Sequence, residues 1–200
     1  MSNYIDFNGL LSACGTAVLL ATLCLVTPAS SQAPSGETAD GSGPAVFPQV
    51  QGSNLEGREF NLPQDFEGKL NLIFIAFQRE QQALVDSWVP LAKTLSARYE
   101  GLRYYELPTI YRANSLVRWF INNGMRRGIP DQQARESTIT LYIDKDPFRA
   151  DMGIPDEQTI YVLLLDATGR VIWRTEGAHA DEKGNALANV ILNLLPERTN

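Results

Sequence analysis

Cysteine and histidine are nearly missing from this chain. Its 200 residues hold two cysteines, Cys14 and Cys24, and one histidine, His179. Thiol enzymes, Cys/His zinc sites and hydrolases built on a histidine base need more of these residues than the chain offers. It also has no glycine-rich phosphate loop and no G-x-S-x-G elbow. Positive charge is absent from the start, the first basic residue being Arg58. Across the whole chain 17 Lys and Arg stand against 23 Asp and Glu, a formal net charge of −6. Such a balance argues against general nucleic-acid binding, which needs cations facing phosphate. The acidic run DKDPFRADMGIPDE, from Asp144, puts Phe148 and Arg149 where a calcium loop needs an oxygen ligand and a glycine. Its carboxylates are expected to shape turns, cap helices and pair with Arg149. His179 is expected in a loop or at a helix start. No cofactor and no metal site is expected.

What the first residues do contain is an uncharged run. Leu10–Val26, LLSACGTAVLLATLCLV, is marginal in length for a spanning helix and long enough for a signal-peptide core. Ala29, Ser31 and Ala33 then supply small residues of the kind a signal peptidase accepts. Residues 1–33 are therefore read as a signal peptide or an N-terminal membrane anchor, which places the folded part in the periplasm or elsewhere outside the cytoplasm, secreted or tethered. Both cysteines belong to this leader. Cleavage would leave a chain of net charge −5 with no thiol, and so no disulfide and no thiol redox chemistry. Residues 34–45, PSGETADGSGPA, read as a flexible linker, and residues 46–200 as one domain.

Within that domain Lys69–Phe77, KLNLIFIAF, reads as a central strand buried on both faces. A helix is expected from about Arg79 to Tyr99, because Leu84, Trp88, Leu91 and Leu95 form one stripe; Pro90 should kink it and Gly101 close it. Leu102–Leu107 reads as a second strand, Arg112–Asn123 as a helix ending at Gly124, and Gly124–Asp131 as loop. A strand over Thr138–Ile143 and a short helix over Pro147–Met152 follow. Thr159–Leu165, the turn Asp166–Gly169 and Arg170–Arg174 make a hairpin, and Asp181–Leu195 a last helix. The order β-α-β-α-β-(short α)-β-β-α implies an α/β sandwich with a mixed sheet.

This order, with a kinked helix after a buried strand and a terminal hairpin and helix, resembles the thioredoxin-like superfamily. Peroxiredoxins and membrane-tethered periplasmic thioredoxins are similar in outline. Phe60-Asn61-Leu62-Pro63 with Phe66-Glu67-Gly68-Lys69 looks like their approach to the first central strand. Among branches without active cysteines, the stretch IYVLLLDATGRVIWRTEGA, Ile160 to Ala178, looks most like the thioredoxin-like assembly factors of ATP synthase. The resemblance implies a three-layer α/β/α sandwich with a mixed central sheet and a C-terminal β-hairpin plus helix. It also implies two redox devices that this chain lacks. The junction where the C-x-x-C would sit reads Gln78-Arg79-Glu80-Gln81-Gln82, and the place of the cis-proline holds Thr159 or Ile160.

The leading expectation is a redox-inactive, non-catalytic domain that binds a protein partner, an assembly factor of a membrane complex. The resemblance implies a binding surface at the former active-site rim, Arg79, Glu80, Gln81 and Thr159. A second surface is suggested by composition. Between Arg98 and Arg135 lie seven arginines and no lysine, opposed only by Glu100, Glu106 and Asp131, with Tyr104, Tyr105, Tyr111, Trp119 and Phe120 interleaved. Arginine and aromatic residues are enriched at protein interfaces; Arg126 and Arg127 are the chosen members of that face. The alternative is a helix with solvated arginines whose aromatics point into the core. The alternative function is a hydrolase or transferase reusing the fold without thiols, with Arg79 as an anion site and Glu80 as an acid.

Overall fold

A computed structural model describes residues 45–198. The leader, its two cysteines and residues 34–44 of the linker lie outside the described residues. The strands are β1 (Val50–Asn54), β2 (Glu59–Leu62), β3 (Leu70–Ala76), β4 (Leu102–Tyr111), β5 (Ile139–Ile143), β6 (Tyr161–Asp166) and β7 (Val171–Glu176). The helices are α1 (Gln82–Arg98), α2 (Ser115–Gly128), α3 (Gln132–Ser137), α4 (Lys145–Asp151) and α5 (Asp181–Leu194). One mixed sheet joins all the strands in the order β2-β1-β5-β4-β3-β6-β7. β3 lies between β4, to which it is parallel, and β6, to which it is antiparallel.

β3 is apolar on both sides because both sides are covered. Leu72 and Phe74 pack with Val85, Trp88 and Ala92 of α1 and with Leu187 and Ile191 of α5. Ile73 and Ile75 point the other way, into a cluster with Phe47 and with Phe148 of α4. Each such side chain contributes roughly 1.5–3 kcal/mol of burial, so this strand and its two covering layers form the stable centre. Trp88 is fully buried and its indole N–H donates to the Gly177 carbonyl at 2.9 Å, which ties α1 to the loop before α5. The β6–β7 turn follows the sequence: the Asp166 carboxylate accepts from the N–H groups of Thr168 and Arg170, at 2.8 and 3.0 Å. Gly169 there has φ of +84°, a conformation that favours glycine.

Three features depart from the sequence reading. The helix expected to begin at Arg79 opens with a 3-10 turn, Arg79–Gln81, before α1 proper. The helix expected over Arg112–Asn123 instead begins at Ser115, because β4 continues to Tyr111 and Asn114 caps it by accepting from the Val117 N–H at 3.0 Å. It also continues past Gly124 to Gly128, so Arg126 and Arg127 are helical residues, not loop residues. Finally, β1, β2 and α3 had no counterpart among the expected elements. Among the described residues, no helix is long and apolar enough to cross a membrane.

Candidate functional site

The C-terminal end of β3 and the start of α1 form the junction at which the resemblance implies a chemical site. Gln81 fills it. Its side chain is 4% exposed, and its Oε1 accepts from the backbone N–H groups of Phe77 at 2.8 Å and Gln78 at 3.2 Å. Its Nε2 donates to the Glu157 carbonyl at 2.7 Å, and Gln78 Nε2 donates to the same oxygen at 3.1 Å. A chain that leaves a strand and enters a helix has backbone N–H groups without partners. The Gln81 amide meets that need and also fastens the junction to the loop before β6. Gln81, expected at a binding rim, is thus committed to the fold. Arg79 and Glu80 are exposed on the same turn and form no ion pair among the described residues. Thr159 lies half-buried in the loop that Gln81 grips, two residues before β6.

Beneath the junction sits a charged pair that the sequence did not suggest. Lys145, at the first position of α4, is 5% exposed, and its Nζ donates to Glu157 Oε2 at 2.5 Å. The ammonium stands 4.1 Å from the centroid of the Tyr111 ring and 5.7 Å from that of Phe77. Arg149 reaches the other oxygen of Glu157 at 3.5 Å and Asp146 at 3.4 Å, which gives it the carboxylate partners expected of it. A buried ion pair is stable only when both charges are satisfied, and here one carboxylate serves two cations. Lys145 and Glu157 are twelve positions apart on different elements, so no local spacing could pair them.

The second surface is α2, whose 14 residues include none that are buried. Its half-buried residues are Ile121, Asn122, Asn123 and Met125. The Tyr142 hydroxyl of β5 donates to Asn122 Oδ1 at 2.8 Å, and the Arg118 guanidinium lies 4.9 Å from the Tyr142 ring centroid. Burial pushes the Tyr142 phenol up to about 12 against the opposing charge of Arg118, so it stays a donor. The apolar side faces outward. Leu116 and Phe120 are each 74% exposed, Trp119 63% and Val117 43%. An amphipathic helix on a globular domain ordinarily turns this stripe to the core. The core reading of Trp119 and Phe120 therefore fails, whereas Tyr104 and Tyr105 are buried as core residues.

Arg126 and Arg127 lie in the last turn of α2. Arg126 is paired with Glu56 at 3.0 Å, and Glu56 also binds Arg135, whose hydrogen bond holds the Glu56 carboxyl below its ordinary value. Arg127 is exposed and makes no ion pair among the described residues. The helical rise of about 1.5 Å per residue sets this end some 16 Å from Ser115. Among the described residues no hydrogen bond or ion pair joins Arg126 or Arg127 to residues 78–82. Between α2 and β1–β5 runs a polar groove of about 510 Å³, lined in part by Gln51, Ser53, Arg118 and Thr140. His179 is half-buried, edge-on to the Trp88 ring at 5.0 Å, with its backbone N–H donating to Ser87 Oγ. Among the described residues no group of three or more His, Cys, Asp or Glu could hold a metal ion.

The fold is that of the thioredoxin-like proteins. A putative electron transport protein and a putative electron transfer protein, both from Aquifex aeolicus VF5, match it at TM-scores of 0.52 and 0.51. Each is 12% identical, with 74% of this chain and 96% of that chain covered. BsSco, a member of the Sco family of cytochrome c oxidase assembly proteins, matches at a TM-score of 0.50 and 12% identity, over 75% of this chain and 93% of that chain. These likenesses carry the fold alone. A comparison with curated proteins gave no match. The family model described as ATP10 protein matches residues 42–194, which takes in every strand and helix above. The chain is a member of the ATP10 protein family.

Proposed function

We propose that this protein is a redox-inactive, non-catalytic assembly factor that works by binding a protein of a membrane complex. The family and the resemblance of Ile160–Ala178 together point to ATP synthase as that complex. The observation that carries the reading is the orientation of α2, which turns Leu116 and Phe120 outward with Val117 beside them, while Trp119 stands over the groove formed with Ser53–Glu59. Large apolar side chains left exposed at one helix face cost stability in water unless another surface covers them. Redox inactivity is supported by the β3–α1 junction, where the Gln81 amide is bonded to the backbone on both sides and no cysteine stands between Gln78 and Gln82. A location outside the cytoplasm is supported by the uncharged run Leu10–Val26.

The rim residues Arg79, Glu80 and Thr159 are a secondary contact in this reading, and Gln81 holds them in place. The test is capture of partners from the native membrane fraction with full-length wild type, Leu116→Ser/Phe120→Ser and Arg79→Ala/Glu80→Ala. A partner held by wild type and by the rim variant but lost by the α2 variant is the expected result. Equal capture by all three would move the site elsewhere, and no partner at all would end the assembly-factor reading.

A further inference from the structure

Resting on the reading that α2 is the partner site, we infer that its occupant is an α-helix of another protein, one that brings an apolar stripe and at least one carboxylate. Leu116 and Phe120, four residues apart, form a ridge on the outward face, with Val117 beside it. One turn further on the ridge gives way to a notch. Gly124 lies four residues after Phe120 and Gly128 four after that, and nothing stands within 4 Å of where a Cβ would be on either. Ridge followed by notch is the relief into which a second helix packs closely, because missing side chains let backbones approach. The polar end is as specific. From Leu107 to Pro130 there are four arginines and no Asp or Glu. Arg126 is already paired with Glu56, which leaves Arg127 exposed at the end of the ridge and notch.

Two other occupants fit less well. A second copy of this chain, docking α2 on α2, would bring arginines and no carboxylate to that face. A bilayer surface gains about 1 kcal/mol per nearby cation, and Arg112, Arg118 and Arg127, which make no ion pair among the described residues, add only a few kcal/mol to an apolar run of less than two turns, which is little to hold the domain there. The glycine notch has no use against lipid.

The test uses full-length protein in native membranes, with a photo-cross-linking amino acid at position 116, 120 or 125, and mapping of each adduct by mass spectrometry. Adducts from 116 and 120, on partner residues three or four apart within one helix and adjacent to Asp or Glu, are expected, with little from the inward-facing 125. Arg127→Glu is expected to lower that yield by at least about tenfold, since opposed like charges cost more than 1.4 kcal/mol. Adducts to lipid, to another copy of this chain, or to an extended or acid-free partner segment would each overturn the inference. So would a captured partner that forms no adduct from 116 or 120. That outcome leaves the assembly-factor reading standing, whereas failure to capture any partner would remove both.

Discussion

Gln81 occupies the decisive position at the level of single residues. It satisfies two backbone donors and one backbone acceptor at a place where a plain strand-to-helix crossing would strand them. Gln81→Ala is expected to cost about 2–3 kcal/mol in urea denaturation, the penalty for leaving buried polar groups unmade, while a surface change at Glu80→Ala costs almost nothing. Glu106 supplies a pH-dependent counterpart. Burial against α1 and the charge of Asp86 raise its carboxyl above the ordinary value, against the pull of Gln82 and Lys93. The folded state then holds that proton more tightly than the unfolded state does. Its contribution to stability is fullest below the ordinary carboxylate range and is lost as pH rises through the raised value. Glu106→Gln is expected to flatten this part of the stability–pH curve and to leave the protein more stable than wild type at neutral pH. A variant with an unchanged curve would contradict the assignment. Neither Lys145 nor its carboxylate partner was legible as a pair, because their meeting is made by tertiary folding and not by spacing.

Individual elements were legible where a single force dominates. The apolar run of β3, bounded by Gly68, reads as a central strand and is one, whereas of the four apolar positions Leu187, Val190, Ile191 and Leu194 that share a face in the last expected helix, Leu187 and Ile191 are in the core and Leu194 is exposed. β1 failed to announce itself because VQGSN shows no apolar alternation. Its fit to the sheet comes from the bare backbone of Gly52, where a Cβ would meet Leu141 Cδ2 at 2.7 Å. In α2 the sequence reading ends the helix at Gly124, yet the helix continues to Gly128, with Asn122 tied to the Tyr142 hydroxyl, so tertiary contact overrides propensity. Composition did mark α2 as a binding face, but only the structure distinguishes it from a core helix. Leu116→Ser/Phe120→Ser is expected to change stability by less than about 0.5 kcal/mol, whereas Ile191→Ala in α5 should cost about 2–5 kcal/mol. A large loss from the α2 pair would show that the face is covered by its own domain.

For the whole molecule, a thioredoxin-like scaffold keeps its core and sheet while the end that carries chemistry in that fold is closed by an amide and a buried ion pair. What remains outward is the exposed apolar face of α2. Fold class and family resemblance were readable from element order and from Ile160–Ala178, whereas the contact surface proposed above depended on which way α2 is turned. The central claim is that the protein acts by contact and not by thiol exchange. It is tested most directly by the amount of assembled ATP synthase, read on native gels, in cells that carry only a full-length variant. Cys14→Ser/Cys24→Ser is expected to support assembly as wild type does, and Leu116→Ser/Phe120→Ser to fail while accumulating as folded protein. Assembly lost with the cysteines and kept without the apolar face would contradict the account.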